Sequence, residues 1–162
     1  MRLFLRWIPA IICMAIIFYA SSQTHSQQDI TPAISAIIPN SIASNNLSEI
    51  NFIYGEATIN ISTMGVAGLI EFFIRKIAHF TIYAMLGFSV SFALRSKTLF
   101  NRLTVTVFLC VIYAASDEFH QRLTGGRTAL FSDVIIDTIG SFFGATILIF
   151  IKLFKNRYKR NS

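Results

Sequence analysis

A cluster of two carboxylates and a histidine follows directly on an apolar run in the second half of the chain. The run begins at Leu103 and is long enough to enter a bilayer, yet Asp117, Glu118, His120 and Gln121 follow before any turn residue. A helix would place Asp117 and His120 on one face, where the carboxylate could orient the imidazole as a general acid or base. No neighbouring serine or threonine has the context of an activated nucleophile, so catalysis would need a further group.

Two other segments carry related side chains at spacings of three or four residues. "RKIAHFTIY" and "FSDVIIDTIGSFFG" supply the further candidates, which are Arg75, Lys76, His79, Tyr83, Asp133 and Asp137. Arg75, Lys76 and Arg127 are suited to bind a phosphate or a carboxylate, and the arginines could do so in a bidentate manner. An equally weighted alternative is that the arginines only neutralise acids inside a helix bundle.

The histidines and carboxylates also have the chemistry of divalent-metal ligands. The sequence has no His-Glu-x-x-His or comparable helical metal motif. An ion-paired polar core that fixes helix register accounts for the same residues. We therefore expect neither a metal ion nor another cofactor.

The composition indicates a membrane protein, since 54% of the 162 residues are hydrophobic and Phe alone occurs 16 times. A bilayer core requires roughly 20 apolar helical residues. Four segments approach this length, at about residues 3–20, 77–94, 103–120 and 131–153. We therefore predict one all-α domain over residues 1–162, a bundle of four transmembrane helices. The first segment could instead be a signal peptide, but "FYASSQ" is a poor cleavage site.

The basic residues predict the orientation of this bundle. Cytoplasmic flanks of membrane spans hold an excess of Lys and Arg. An inside N-terminus puts ten of the fourteen on that side: Arg2, Arg6, Arg95, Lys97, Arg102, Lys152, Lys155, Arg157, Lys159 and Arg160. Both termini are then cytoplasmic. Since the charge of +6 has this membrane explanation and no nucleic-acid motif accompanies it, we expect no nucleic-acid partner.

The same orientation predicts a long extracytoplasmic segment at about residues 21–73. Its first part, "SSQTHSQQDITP", is typical of a solvated loop. The later part, "ISTMGVAGLIEFFIRK", is either a helix in the outer interface or an upstream extension of the second span.

The polar side chains of the last three predicted spans all lie toward their outer ends. Charge at membrane depth costs a few kcal/mol per group, so these side chains should face each other in an outward-facing pocket. Four cations could neutralise four acids there nearly one for one: Arg75, Lys76, Arg122 and Arg127 with Asp117, Glu118, Asp133 and Asp137. Gly140 and Gly144 should let the fourth helix pack closely on a neighbour.

Two segments carry a family resemblance. "RKIAHFTIYAMLGF", followed after a spacer by "YAASDEFHQRLTGGRTALFSDVIIDTIGSFFG", resembles the VanZ-like family of small bacterial membrane proteins, and a first span ending in "SSQ" fits as well. The turn of that family usually carries a proline before Gly-Arg, where this chain has Gly125-Gly126-Arg127. The resemblance implies a multi-pass protein of the bacterial cell membrane. The family's namesake gives low-level resistance to teicoplanin, with little effect on vancomycin.

These observations support two main hypotheses of function. In the first, the pocket binds an anionic membrane lipid, a lipid-linked cell-wall precursor or a lipoglycopeptide, and the protein is not an enzyme. In the second, the protein is an intramembrane enzyme that modifies an envelope lipid or its head group, with Asp117 and His120 as acid and base. A third alternative is an assembly factor whose polar core only maintains the fold. Four short helices are too few for a pore in one subunit, although a homo-oligomer could form one.

Overall fold

The structure, a computed structural model, describes residues 4–38, 50–55, 57–94, 98–125 and 131–161. Within these residues the chain is mostly helical. Five helices are present, together with two short strands: α1 Ile8–Ser21, α2 Thr31–Ile37, β1 Asn51–Tyr54, β2 Ala57–Asn60, α3 Ile61–Ala93, α4 Leu99–Gly125 and α5 Phe131–Asn161. One-turn 3₁₀ helices precede α1 at Phe4–Arg6 and follow it at His25–Gln27.

The predicted second span is only the C-terminal part of a longer helix. Helix α3 begins at Ile61, where the Asn60 side chain accepts a hydrogen bond from the backbone N–H of Thr63 at 2.9 Å. Gly65 has a positive φ of 67° and interrupts the helical geometry one turn later. From Val66 onward the segment "ISTMGVAGLIEFFIRK" is continuous with the helix of the predicted second span, as the alternative of an upstream extension expects, whereas Ile61–Met64 precedes the kink.

The predicted extracytoplasmic segment contains regular structure that an all-α description omits. Strands β1 and β2 form an antiparallel hairpin in which Asn51 pairs with Asn60 and Tyr54 with Ala57. The strands are only four residues long, too short for sequence alternation to distinguish them from a loop. The hairpin leads directly into α3, and the rings of Phe52 and Tyr54 pack against Phe72 of that helix.

Helices α3 and α5 form the most extensive contact of the bundle, and they run in the same direction. Gly140 lies against the backbone of Phe80, and Gly144 lies one turn further along against the backbone of Ala84. A Cβ atom at either glycine would overlap that backbone. Small residues thus allow the two helix backbones to touch, as the spacing of the glycines predicts.

Helices α1 and α4 complete the bundle around Tyr83, Leu86 and Val90 of α3. Both cysteines, Cys13 and Cys110, are buried in this core with free thiols, as expected for small apolar residues. Among the described residues, two helices are long and apolar enough to cross a membrane, over Leu99–Leu123 and Phe131–Tyr158, and α1 is apolar but shorter. The observed helices are longer than the predicted spans, because α4 and α5 both extend beyond the apolar stretches that identified them.

Candidate functional site

The candidate residues that the structure describes gather at one end of the bundle, which we call the polar end. Here α1 and α4 end, α5 begins, and α3 passes from its N-terminal to its central turns. The opposite end, where α1 and α4 begin and α3 ends, is called the basic end. The polar end contains two groups of contacts, one between α1 and α4 and one around α3.

The first group joins Asp117 of α4 to the C-terminus of α1. The Ser21 hydroxyl donates a hydrogen bond to Asp117 Oδ1 at 2.5 Å. Gln121 donates to Asp117 Oδ2 at 3.0 Å and to Ser21 Oγ at 3.3 Å. All three side chains are buried. Asp117 thus has hydrogen-bond donors for both carboxylate oxygens, an arrangement that stabilises a buried polar residue.

His120 lies on the same face of α4 but has different contacts from Asp117. Its ring stacks on Phe18, with a centroid separation of 4.6 Å, and its Nε2 lies 3.2 Å from the Ser22 hydroxyl. About two turns earlier, Tyr113 donates a hydrogen bond to the carbonyl of Met14 at 2.7 Å. This face of α4 therefore packs against α1 along its length, and both members of the proposed acid–base pair lie there.

The second group contains an ion pair between α3 and α5. Lys76 pairs with Asp133, and the Tyr54 hydroxyl of the hairpin donates a hydrogen bond to the same carboxylate. The Lys76 ammonium also lies over two aromatic rings, 4.5 Å from the Tyr54 centroid and 5.3 Å from that of Phe72. Burial, and next the hydrogen bond to Asp133, raise the pKa of Tyr54 above its ordinary value. The Asp133 carboxylate therefore joins the hairpin, α3 and α5 at one point.

One turn deeper, His79 faces Asp137. The imidazole Nδ1 lies 3.4 Å from Asp137 Oδ1, and the Asp137 side chain is fully buried. Neither carboxylate oxygen of Asp137 has a hydrogen bond from the residues that the structure describes. The buried Tyr83 hydroxyl likewise has no such partner within the described ranges. Burying a carboxylate without a hydrogen bond is costly, so Asp137 should attract the imidazole N–H that faces it.

A third pair lies within α3 itself. Glu71 is buried and pairs with Arg75 four residues later, and it also accepts a hydrogen bond from the Thr31 hydroxyl of α2. This contact ties the short helix of the extracytoplasmic segment to α3. It also means that Arg75, predicted to neutralise an acid on another helix, has its partner on its own.

A cavity of about 320 Å³ opens between α1 and α3 at this end. Its polar lining residues are Ser21, Gln28, Arg75, His79, Tyr83 and Gln121. Its apolar lining residues are Ile16, Ile17, Ala20, Ala78 and Ile82, and most of the lining surface is apolar. The wall contains a guanidinium and an imidazole, while their carboxylate partners Glu71 and Asp137 are buried and do not line the cavity. A mainly apolar lining with a few polar groups is typical of a ligand site and suits an amphiphilic ligand.

The predicted one-for-one neutralisation is only partly what the structure contains. The pair of Lys76 with Asp133 joins α3 to α5, whereas among the described residues Asp117 accepts hydrogen bonds from Ser21 and Gln121. Arg122 is exposed to solvent, and Glu118 is buried. Arg127 lies outside the described residues.

Several contributing residues are absent from the sequence-based set. Glu71 had a signal, because an acid four residues before Arg75 is the favourable helical order of charges. Ser21 follows an apolar run at the start of a polar segment, and Tyr54 lies in a hairpin without a clear sequence pattern. Neither residue had a sequence signal that pointed to the site. Over the described ranges, no group of three or more His, Cys, Asp or Glu side chains is arranged to hold a metal ion.

The fold and site together define a mostly helical protein with at least two helices suited to a membrane and a polar cavity at one end. A family model described as VanZ/LLP1 matches residues 6–153, and the chain belongs to this family. No curated protein and no solved structure matches the chain at a significant level. The family match and the apolar helices together indicate a membrane protein.

Proposed function

We propose that the protein crosses the bacterial cell membrane four times with both termini in the cytoplasm, so that the polar end faces outward. The four spans are α1, the part of α3 that follows Lys76, α4 and the apolar part of α5. Basic residues at the opposite end support this orientation, because cytoplasmic flanks hold the excess of Lys and Arg. Alkaline phosphatase inserted after residue 28 should be active, and the same fusion at residue 162 inactive. The reverse result would overturn the topology.

The function that the polar end supports best is binding of an anionic amphiphile of the cell envelope. The candidates are a membrane lipid, a lipid-linked cell-wall precursor and a lipoglycopeptide of the teicoplanin type. The observation that carries this proposal is the charge arrangement of the cavity, in which Arg75 and His79 are at the wall and their buried partners Glu71 and Asp137 are not. An incoming anion meets the Arg75 guanidinium, and His79 adds a second donor when its imidazole is protonated, while the buried acids keep both side chains in place.

Resistance is the biological result to measure first. A sensitive Gram-positive host expressing the wild type should tolerate more teicoplanin and show little change toward vancomycin, because only the acylated drug partitions into the leaflet beside the cavity. The double variant Glu71→Gln/Arg75→Gln should lose this protection at unchanged membrane level, since it removes the wall cation without leaving a buried carboxylate unpaired. The exposed Arg122→Gln is the matched control and should protect like the wild type.

Binding by purified protein tests the proposal independently of resistance. Full-length protein in nanodiscs should bind at least one of the three ligand classes saturably. Absence of saturable binding for all of them would overturn the binding function. A protective wild type whose double variant protects equally well would place the function elsewhere in the molecule.

An intramembrane enzyme is the second candidate, favoured by one observation. His79 lies at the cavity wall with its Nδ1 toward the buried Asp137, an arrangement in which a carboxylate orients an imidazole for proton transfer. Asp117 and His120, the pair expected from the sequence, remain candidates with other partners. Turnover of an envelope lipid that is lost in Asp137→Asn but kept in Asp117→Asn would favour the His79 pair. No turnover by the wild type would leave binding alone.

A further inference from the structure

The cavity has a gradient of polarity along the helices that bears on the kind of ligand it takes. Arg75, Gln28 and Ser21 lie at the level where α1 ends. Ile16 and Ile17 lie about one turn further into the bundle on α1, and Ile82 lies two turns beyond Arg75 on α3. Apart from Tyr83, which follows Ile82 on α3, the polar groups are thus nearer the end of the bundle than the isoleucines. A lipid of the outer leaflet has this same order, with its head group at the surface and its chain below.

The opening of the cavity is formed by small residues on two facing helices. Ala20 of α1 and Ala78 of α3 are both exposed and both line the cavity. The next residues along each helix are larger: Tyr19 precedes Ala20 and Ile77 precedes Ala78. Both side chains point away from the bundle and are 69% and 64% exposed. The gap between α1 and α3 therefore opens sideways, on a surface whose neighbouring side chains are apolar. A chain-bearing ligand could enter there without leaving the leaflet.

The volume limits which part of a ligand enters. About 320 Å³ is near the lower end of the range of about 300–1,000 Å³ for small-molecule pockets. A disaccharide-peptide or a glycopeptide scaffold would have to stay outside. A phosphate group with the first part of one hydrocarbon chain is of suitable size. Arg75 offers the planar fork of donors that matches a phosphate, and His79 and Gln28 offer further polar groups beside it.

We propose that the cavity between α1 and α3 is a lateral binding site for the phosphate of a lipid, with the phosphate at Arg75 and His79 and one hydrocarbon chain between Ile16, Ile17 and Ile82. The proposal rests on the proposed function and deepens it, because it selects the phosphate and chain as the recognised unit. Membrane phospholipids and lipid-linked precursors share this unit. Inorganic phosphate has the phosphate group but no hydrocarbon chain.

The test uses full-length protein in micelles of a nonionic polyoxyethylene detergent, which carries no phosphate, with bound probe counted by native mass spectrometry. The probes are dodecyl phosphate, phosphatidylglycerol and inorganic phosphate, with a nonionic dodecyl glycoside as the control for the chain alone. Dodecyl phosphate should bind saturably at one site. Inorganic phosphate should bind at least about a hundredfold more weakly, because each buried CH₂ group of the chain contributes about 0.8 kcal/mol. The glycoside should not bind saturably.

Matched variants locate the site. Ala78→Trp fills the opening from α3 and should weaken dodecyl phosphate binding at least about tenfold, whereas Ile77→Trp adds a tryptophan to the neighbouring lipid-facing position and should change it less than about twofold. Ala20→Trp and its control Tyr19→Trp repeat the comparison from α1, so the test survives if one variant fails to fold. Equal binding in both members of both pairs would overturn the lateral site.

The remaining outcomes separate this inference from the proposed function. If phosphatidylglycerol binds as tightly as dodecyl phosphate and both respond to Ala78→Trp, a membrane phospholipid is a sufficient ligand. If Ala78→Trp weakens the binding of dodecyl phosphate but not that of phosphatidylglycerol, a lipid-linked precursor is the better candidate ligand. Inorganic phosphate binding as tightly as either lipid would overturn the role of the chain. A wild type that binds a lipoglycopeptide but no phosphate probe would overturn this inference and leave the proposed function intact, and a wild type that binds no anionic probe would overturn both.

Discussion

The basic end and the polar end of the bundle use charge in different ways. At the basic end, cations interact with helix backbone: Arg6 donates to the carbonyl of Phe92 at 2.6 Å, and Arg102 to that of Leu94 at 3.0 Å. Arg6 and Lys152 also lie over the Phe92 ring, at 4.9 and 6.0 Å. The last carbonyls of α3 thus receive donors that the helix itself cannot supply.

At the polar end, cations interact with specific carboxylates instead. Each of Lys76 and Arg75 has an acid beside it, and every acidic residue that the structure describes lies toward this end or in the segment beyond α1. The contrast shows that the number of cations matters at the basic end, whereas specific side chains at specific positions matter at the polar end. Substitutions should therefore have large effects at the polar end and small ones at the basic end.

The largest effect is expected from breaking the ion pair of α3 with α5. Asp133→Ala leaves Lys76 largely buried without its carboxylate and removes the acceptor of the Tyr54 hydroxyl. We expect a loss of about 3 kcal/mol in the free energy of unfolding. Denaturation by sodium dodecyl sulfate in mixed micelles measures it. The double variant Lys76→Met/Asp133→Leu should recover most of the loss, and a double variant as unstable as the single one would show that packing, not charge, dominates here.

The next effect is expected from the contact of α1 with α4. Ser21→Ala removes a buried donor to Asp117, and Gln121 then remains as the donor from this group. We expect a loss of about 2 kcal/mol, in the range for a hydrogen bond to a charged group. The same unfolding assay checks it, with Ser22→Ala as the neighbouring control, which should lose less because Ser22 is exposed. Equal losses would argue against a special role for Asp117.

Tyr54→Phe should have a smaller effect that depends on pH. The variant loses the hydrogen bond to Asp133 and keeps the ring over Lys76, so we expect a loss of about 1.5 kcal/mol at neutral pH. The pKa of Tyr54 is raised in the folded protein, so its contribution is fully present below the unfolded pKa of about 10 and falls as pH rises above it. Unfolding measured from pH 7 to pH 11 should therefore give curves for wild type and variant that converge at high pH. A constant difference would contradict this assignment.

The smallest effect is expected at the basic end. Arg6→Gln should cost less than about 1 kcal/mol, because the interaction is exposed. The unfolding assay used for the polar end gives a direct comparison. The triple variant Arg6→Gln/Arg102→Gln/Lys152→Gln should instead weaken the orientation, measured as reduced discrimination between the two phosphatase fusions. A loss for Arg6→Gln as large as that of Asp133→Ala would remove the contrast between the two ends.

Sequence patterns predicted much of the scaffold and less of the site. The apolar runs identified the helices containing Cys13, Cys110 and Leu148, because apolar segments of this length have few alternatives. The glycine spacing on α5 predicted a close helix contact but not that α3 would be the partner. The hairpin and α2 escaped detection, since short elements in a polar segment have weak periodicity and depend on contacts made elsewhere.

Sequence alone determined which side chains are at the polar end, because Asp117, Asp133 and His79 occupy fixed places on helices whose apolar lengths define their ends. It also determined the membership in the VanZ/LLP1 family, whose model matches residues 6–153. Only the tertiary structure decided the partners: Arg75 with Glu71, Lys76 with Asp133 and Tyr54, and Asp117 with Ser21. The reason is physical. Helical spacing fixes the face on which a side chain lies, whereas its partner depends on which helix packs against that face and at what height.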